Sequence, residues 1–314
     1  MMRAFIFPGQ GSQAVGMGRG LAEAFASARE VFEEVNEAVS QKLSRLMWEG
    51  PEADLVLTEN AQPAIMAASF AVIRVLAREA GLDFTRHARL VAGHSLGEYT
   101  ALAAVGSFSL ADAARLLKTR GQAMQAAVPV GEGAMSALLG IEIEAAEAAA
   151  AEAEAEGGIC VVANDNAPGQ VVISGTKATV ERAGEIAKTK GAKRAMLLAV
   201  SAPFHCPLMQ RAADRMREAL TQVTIRPPAT PLIANVTAAE TSEPETIRRL
   251  LVEQVTGRVR WRESVLAFRA SGVEMTVEAG GGKVLTGMVK RIDRELQTVT
   301  LDTPADIETF AKTL

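Results

Sequence analysis

Short apolar runs alternate along this chain with longer stretches whose apolar residues recur three and four positions apart. Phe5-Ile6-Phe7 reads as a buried strand that ends in a glycine-rich turn. Helical periodicity follows near residues 19–38 and 63–80, and the next strand, over 89–92, carries Leu90-Val91-Ala92. Leu232-Ile233-Ala234 and Glu274-Met275-Thr276-Val277 read as further strands, with helices near 245–255, 261–271 and 284–294. Strands separated by helices in this way predict an α/β fold, a mostly parallel sheet with helices on both faces.

From Ala134 the order changes. A strand over Ala134–Leu139 is followed by an Ala/Glu-rich helix (142–156), a strand (159–163), a turn at Asn164-Asp165-Asn166-Ala167-Pro168-Gly169, a strand (170–174), a helix (176–189) and a strand (194–199). That order is βαββαβ, a ferredoxin-like unit. The expectation is therefore a discontinuous large domain of residues 1–130 and 201–314, an inserted subdomain of residues 131–200, and a cleft where they meet. The repeated Ala-Glu of 144–156 reads as a solvated helix face.

Composition narrows the function classes. With 314 residues, 48% hydrophobic and 22% charged, the chain has the make-up of an ordinary globular protein. Its net charge of −4 argues against bulk nucleic-acid binding, although Lys188, Lys190, Lys193 and Arg194 form a local basic cluster suited to an acidic partner. Cys160 and Cys206 lack C-x-x-C spacing, and three histidines are few for a metal centre, so neither a zinc site nor a redox pair is expected. No apolar stretch reads as a membrane span of about 20 residues, and the apolar part of Met1–Phe7 is too short for a signal peptide. A cytoplasmic protein is expected.

The candidate chemistry starts at Gly93-His94-Ser95-Leu96-Gly97, where an apolar strand feeds a serine between glycines ahead of a helix. A nucleophile elbow has this form: the turn is too tight for side chains beside the serine, and backbone N–H groups at the helix start face an oxyanion. Ser95-Leu96-Gly97-Glu98 also fits a capping box, in which Ser95 caps the helix and Glu98 reaches back to it. A nucleophilic serine needs a base. His94 adjoins Ser95 and points away from it, and His87 lies at the far end of the strand. His205 remains, at the head of the stripe Leu208, Met209, Ala212, Met216 and Leu220, either as the base or as a core histidine.

Arg120 is a second anomaly. It shares a helix face with Leu110, Ala113, Leu117 and Met124, and its neighbours one turn away, Leu116, Leu117, Ala123 and Met124, offer no carboxylate. An unpaired buried charge costs several kcal/mol. Either a carboxylate distant in sequence meets it or a ligand does, and its planar fork suits a substrate carboxylate. Gly9-Gln10-Gly11-Ser12-Gln13-Ala14 nominally fits a relaxed dinucleotide fingerprint, but the acidic residue at the required distance, Glu30, lies inside an amphipathic helix. Gln10, at a strand end, is better placed to lend a backbone N–H to an oxyanion. Gly280-Gly281-Gly282-Lys283 fails as a phosphate loop, lacking the earlier glycine and a following Ser or Thr.

Taken in order, several motifs resemble the malonyl-CoA:acyl carrier protein transacylases and the related acyltransferase domains of polyketide synthases. They are Phe7-Pro8-Gly9-Gln10-Gly11-Ser12-Gln13, Gln62-Pro63-Ala64, Gly93-His94-Ser95-Leu96-Gly97-Glu98-Tyr99, Arg120-Gly121, Gly133-Ala134-Met135, Pro168–Gly175, Pro203-Phe204-His205-Cys206-Pro207-Leu208-Met209 and Gly282–Gly287. The resemblance implies an α/β-hydrolase-like large domain, a Ser95 that carries malonyl as an ester, His205 as its base and Arg120 as the grip on the malonyl carboxylate. It also implies an oxyanion hole from the N–H groups of Gln10 and Leu96, and a main-chain carbonyl at Gln254 that orients the histidine in place of an acid. Malonyl-CoA and an acidic, transiently docked acyl carrier protein are the implied substrates, with no bound cofactor, a monomer, and Lys193, Arg194, Lys283 or Lys290 as docking candidates. Two departures stand out. Gly280-Gly281-Gly282-Lys283 replaces the family's usual Gly-Pro-Gly-Lys, and Phe204 stands where methylmalonyl-type domains tend to carry serine, leaving less room for an α-methyl.

Two other readings compete: a serine thioesterase or esterase, and a non-catalytic carrier-protein docking protein. An α/β-hydrolase places its histidine near the C-terminus after the acid, whereas the last histidine here is His205. The joint presence of Ser95, His205 and Arg120 speaks against a vestigial site.

Overall fold

The computed structural model describes every residue, Met1–Leu314. Ten strands form: β1 (Arg3–Phe7), β2 (Leu90–Gly93), β3 (Gly133–Leu139), β4 (Cys160–Ala167), β5 (Gln170–Thr176), β6 (Arg194–Leu197), β7 (Leu232–Ile233), β8 (Glu240–Thr241), β9 (Met275–Ala279) and β10 (Gln297–Leu301). Six of them make a central sheet in the order β10-β9-β1-β2-β7-β8, parallel throughout except for the short β7–β8 pair. β1 and β2 are buried along almost their whole length, as continuous apolar runs in a helix-covered sheet must be. Their register pairs Phe7 with Gly93, so the turns that leave the two strands emerge side by side. The other four strands form an antiparallel sheet ordered β4-β5-β3-β6, the ferredoxin-like arrangement expected from the βαββαβ pattern.

The structure departs from the sequence reading at definite places. The helix expected to begin near residue 63 begins at Thr58 and runs to Glu79 with Pro63 inside it. Tertiary burial outweighs the hydrogen bond that proline forgoes, since almost every residue of Thr58–Leu76 is buried. By length and composition this helix passes for a membrane span, but 83% of its most apolar window is covered by the rest of the protein. The expected turn at 164–169 shrinks to Pro168-Gly169, because β4 continues to Ala167 through two register shifts. Its polar side chains are not solvated: Asn164, Asp165 and Asn166 are all buried. β8, β10, the helices Leu43–Glu49 and Glu52–Leu55 and the last helix, Pro304–Ala311, had no clear apolar signature and were not foreseen.

Asp165 and its neighbours tie the antiparallel sheet to the segment that leads into a helix packed against the central sheet. The N–H of Asp165 donates to the carbonyl of Val259 (3.0 Å), and the N–H of Val259 donates back to Ala163 (2.8 Å). Arg262 Nε adds a bond to Asp165 Oδ2 at 2.9 Å. Helix Trp261–Ala270 follows at once and buries Trp261, Val265 and Phe268 beneath the central sheet. Its opposite face carries Leu266, which is 51% exposed. Trp261→Ala should lower stability by about 3–5 kcal/mol, whereas Leu266→Ala should change it by less than about 0.5 kcal/mol. Denaturant midpoints of the two variants check this, and equal effects would contradict the burial pattern.

Candidate active site

Three parallel strands of the central sheet end beside one another, and the loops that leave them build the site. After β2 the chain turns so sharply that Ser95 adopts a left-handed backbone, φ 53°. That conformation costs roughly 1–2 kcal/mol for a residue with a Cβ, so its surroundings must impose it. Asn235, just past β7, does so with one side chain: Oδ1 accepts the Ser95 N–H at 2.8 Å while Nδ2 donates to the Gly93 carbonyl at 2.7 Å. Gly97 completes the turn. A Cβ there would lie 2.2 Å from the carbonyl oxygen of Phe7, so only glycine lets the new helix, Gly97–Ala104, start against the end of β1. The capping-box reading fails: the helix has no side-chain cap, and Ser95 and Glu98 are both engaged elsewhere.

Ser95 Oγ lies 2.8 Å from His205 Nε2. The other ring nitrogen, Nδ1, is 2.9 Å from the main-chain carbonyl of Gln254. A carbonyl only accepts, so Nδ1 carries the proton and Nε2 presents its lone pair to the serine hydroxyl. Burial, and then the positive charge of Arg120, hold the imidazole's pKa down to about 3. The ring is therefore neutral and able to accept a proton. His205 sits at φ 57° two residues before the turn Pro207–Met209, which leads into the helix Gln210–Thr221, whose Ala212, Met216 and Leu220 bury the expected stripe.

Arg120 reaches the same oxygen. It is only 1% exposed; Nη2 donates to Ser95 Oγ at 3.0 Å and to Gln254 Oε1 at 2.9 Å, and Nη1 donates to Gln62 Oε1 at 3.0 Å. No carboxylate is among its direct partners. Its helix, Leu110–Ala126, crosses helix Thr58–Glu79 so closely that a Cβ at Gly121 would lie 2.5 Å from the Cα of Glu59. This crossing brings Gln62 against the guanidinium. The guanidinium also lies over the Tyr99 ring, 5.7 Å from its centroid.

The cleft around Ser95 has a volume of about 630 Å³ and lies between the two sheets, with Met135 and Val172 of the antiparallel sheet facing Arg120, Met124 and Phe204. Gln10 and Leu96 both line it, and neither backbone N–H is hydrogen-bonded within the protein. Two free amides beside a serine hydroxyl could serve an oxyanion. His94 points away from Ser95 and pairs with Asn166 (2.8 Å), while His87 accepts from the Asp83 N–H at the far end of β2. Lys193, Arg194, Lys283 and Lys290 are exposed, and Lys283 adjoins the cleft-lining Val284.

Comparison with known proteins supplies a family. Residues 4–302 match the family described as acyl transferase domain. The malonyl CoA-acyl carrier protein transacylase of Bacillus subtilis is 45% identical over 99% of this chain and 96% of its own. The chain belongs to this acyltransferase family. The crystal structure of an acyl-carrier-protein-S-malonyltransferase from Bartonella henselae superposes with a TM-score of 0.97 at 54% identity, covering 100% of this chain and 99% of that one. A malonyl-transacylase in complex with a type II PKS acyl-carrier protein superposes with a TM-score of 0.96 at 41% identity, each chain fully covered.

Within this acyltransferase, several site residues carried no signal that sequence reasoning used. Asn235 follows an apolar strand and is buried to 1% exposure, so a polar residue at a strand's C-terminal end was the available clue. Asn166 has the sequence context of a turn. Glu98 was read as a cap, whereas its Oε2 accepts from the Asn235 N–H and from Gln254 Nε2.

Two outcomes follow. Asn235→Ala leaves the Gly93 carbonyl and the Ser95 N–H without partners, so stability should drop by about 1–3 kcal/mol, read as a shift in denaturation midpoint, with slower acylation of Ser95. The second concerns pH. His205 must be unprotonated to take the serine proton, and its pKa lies at about 3. Labelling of Ser95 by a neutral fluorophosphonate should therefore show no loss of rate as pH is lowered from 8 to 5; a fall centred near the ordinary imidazole value of about 6.5 would contradict it.

Proposed function

We propose that this acyltransferase moves the malonyl group of malonyl-CoA to the phosphopantetheine thiol of an acyl carrier protein, supplying fatty-acid synthesis, with Ser95 as the intermediate carrier. The observation that carries the reading is the shared oxygen: Ser95 Oγ lies 2.8 Å from a neutral imidazole nitrogen and 3.0 Å from a buried guanidinium. In a malonyl ester the carboxylate carbon is the third atom beyond Oγ, within reach of that guanidinium.

In this scheme His205 Nε2 takes the Ser95 proton as Oγ attacks the thioester carbonyl. The C=O π bond becomes an oxyanion that accepts from the Gln10 and Leu96 N–H groups. Collapse breaks the C–S bond, and CoA leaves with the proton from His205. The carrier protein's thiol then enters, gives its proton to His205, attacks the ester and releases Ser95, which recovers the proton. Each step is an acyl or proton transfer among these groups, so the scheme contains no cofactor. Arg120 selects for malonyl, because a substrate without the distal carboxylate returns nothing for displaced guanidinium bonds. The ring of Phe204 disfavours an α-methyl substituent. We read residues 1–130 and 201–314 as the catalytic domain and 131–200 as a subdomain that roofs the cleft and shields the ester from water. The protein is proposed to act in the cytoplasm as a monomer.

Incubation with malonyl-CoA or acetyl-CoA, followed by mass-spectrometric mapping, tests the proposal. Malonyl should appear on Ser95 and pass to added holo carrier protein, and Arg120→Ala should cut the preference for malonyl over acetyl by about 10- to 100-fold, the worth of a charged hydrogen-bond pair. Steady CoA release without label would make water the acceptor and the protein a thioesterase. Lys283→Glu and Lys290→Glu should slow transfer to the acidic carrier protein and weaken its salt dependence. Unchanged transfer in both would remove them as docking residues.

A further inference from the structure

The carboxylate that Arg120 lacks as a direct partner is present one residue away. Glu98 is 1% exposed, and its Oε2 lies 2.8 Å from Gln254 Nε2. The other end of the same amide, Oε1, accepts from Arg120 Nη2 at 2.9 Å. The orientation of this amide is not free. Nε2 faces the Glu98 carboxylate and the Ser95 carbonyl (2.9 Å), both acceptors, so Oε1 has to face the guanidinium, which only donates. Carboxylate, amide and guanidinium thus form a continuous line of charge-assisted hydrogen bonds.

We infer that Glu98 is the counter-ion of Arg120, relayed through the Gln254 amide, and that it sets how strongly this enzyme's guanidinium attracts a substrate carboxylate. The inference rests on the malonyl-transfer reading above. An ionised Glu98 compensates Arg120 in the empty site and repels an incoming carboxylate. A neutral Glu98 leaves the guanidinium uncompensated, and the substrate becomes its counter-ion.

The surroundings allow both forms. Burial raises the Glu98 carboxyl to about 7, against hydrogen bonds from Gln254 and Asn235 and the charge of Arg120, which favour ionisation. The groups facing it are few: Gln254 from helix Pro244–Thr256 and Asn235 from the β7–β8 turn are neutral, Tyr99 on its own helix has its pKa raised far above the working range by burial, and Arg120 is the one charged group among them. As pH rises through about 7, Glu98 ionises, and the site loses attraction for an anion. Anion binding in turn favours proton uptake at Glu98.

The effect is confined to substrates with a distal carboxylate, which separates it from a purely structural role. Glu98→Gln keeps the shape and an acceptor for both N–H donors but removes the charge. At pH 8 it should lower KM for malonyl-CoA about three- to tenfold while KM for acetyl-CoA stays within about twofold, the size expected for one charge acting across an amide at intermediate dielectric. In an Arg120→Ala background the same substitution should leave the malonyl-to-acetyl KM ratio unchanged. The unaltered protein offers a measurement that does not depend on a variant folding. Its KM ratio of malonyl-CoA to acetyl-CoA should rise between pH 6 and pH 8.5, the CoA phosphates being common to both substrates and cancelling. A flat ratio, or a Glu98→Gln variant in which both substrates shift together, overturns the assignment and leaves Glu98 a brace for the elbow, while malonylation of Ser95 by the unaltered protein would still stand. If Ser95 takes no malonyl at all, the function reading fails and this inference falls with it.

Discussion

One buried glutamine keeps the reacting groups in register. The main chain of Gln254 fixes the tautomer of His205, and its side chain spans Ser95, Glu98 and Arg120. A carbonyl in the place an aspartate occupies in a serine triad changes the energetics. It orients the imidazole without lending it negative charge, so its hydrogen bond only partly offsets the desolvation and the nearby guanidinium that keep the ring neutral. Arg120 compensates at the other partner: a cation 3.0 Å from Ser95 Oγ lowers the cost of negative charge building there. In the proposed scheme a weak base beside an assisted nucleophile is sufficient, because the leaving group is a thiolate, which departs far more readily than an amine.

Much of this was readable from the chain because it is local. A serine between glycines after an apolar strand announces an elbow, and a lone arginine on an apolar helix face announces a buried charge. His205 emerged from three histidines by elimination, which works only when the inventory is so short. The supporting residues were hidden by their reach. Asn235 acts on residues more than a hundred positions earlier, and no periodicity of its own segment records that. Asn164–Asn166 misled for the opposite reason: amide and acidic residues before Pro-Gly carry the composition of a turn, but here β4 continues through them against β5 and bridges to Val259. Local rules failed where a polar residue was spent on a contact distant in sequence.

The same division applies to the fold. The parallel core declared itself through continuous apolar strands, whereas β10 and the C-terminal helix Pro304–Ala311, half-exposed at the sheet's edge, lacked that contrast. Helix Thr58–Glu79 shows packing overruling a local breaker. Its partner helix supplies Gly121 at the crossing, and that close approach is worth more than the bond Pro63 gives up.

The antiparallel sheet is tethered on two sides. β4 is joined to Val259 and Arg262, and β6, at the opposite edge, runs by covalent chain into the segment that ends at His205. A layer held on two sides has little configurational entropy left to surrender when a substrate arrives. CoA and the carrier arm thus encounter one preformed cleft rather than two induced ones. A reaction whose second half retraces its first needs that equivalence, since any reorganisation favouring one donor would become a barrier for the other.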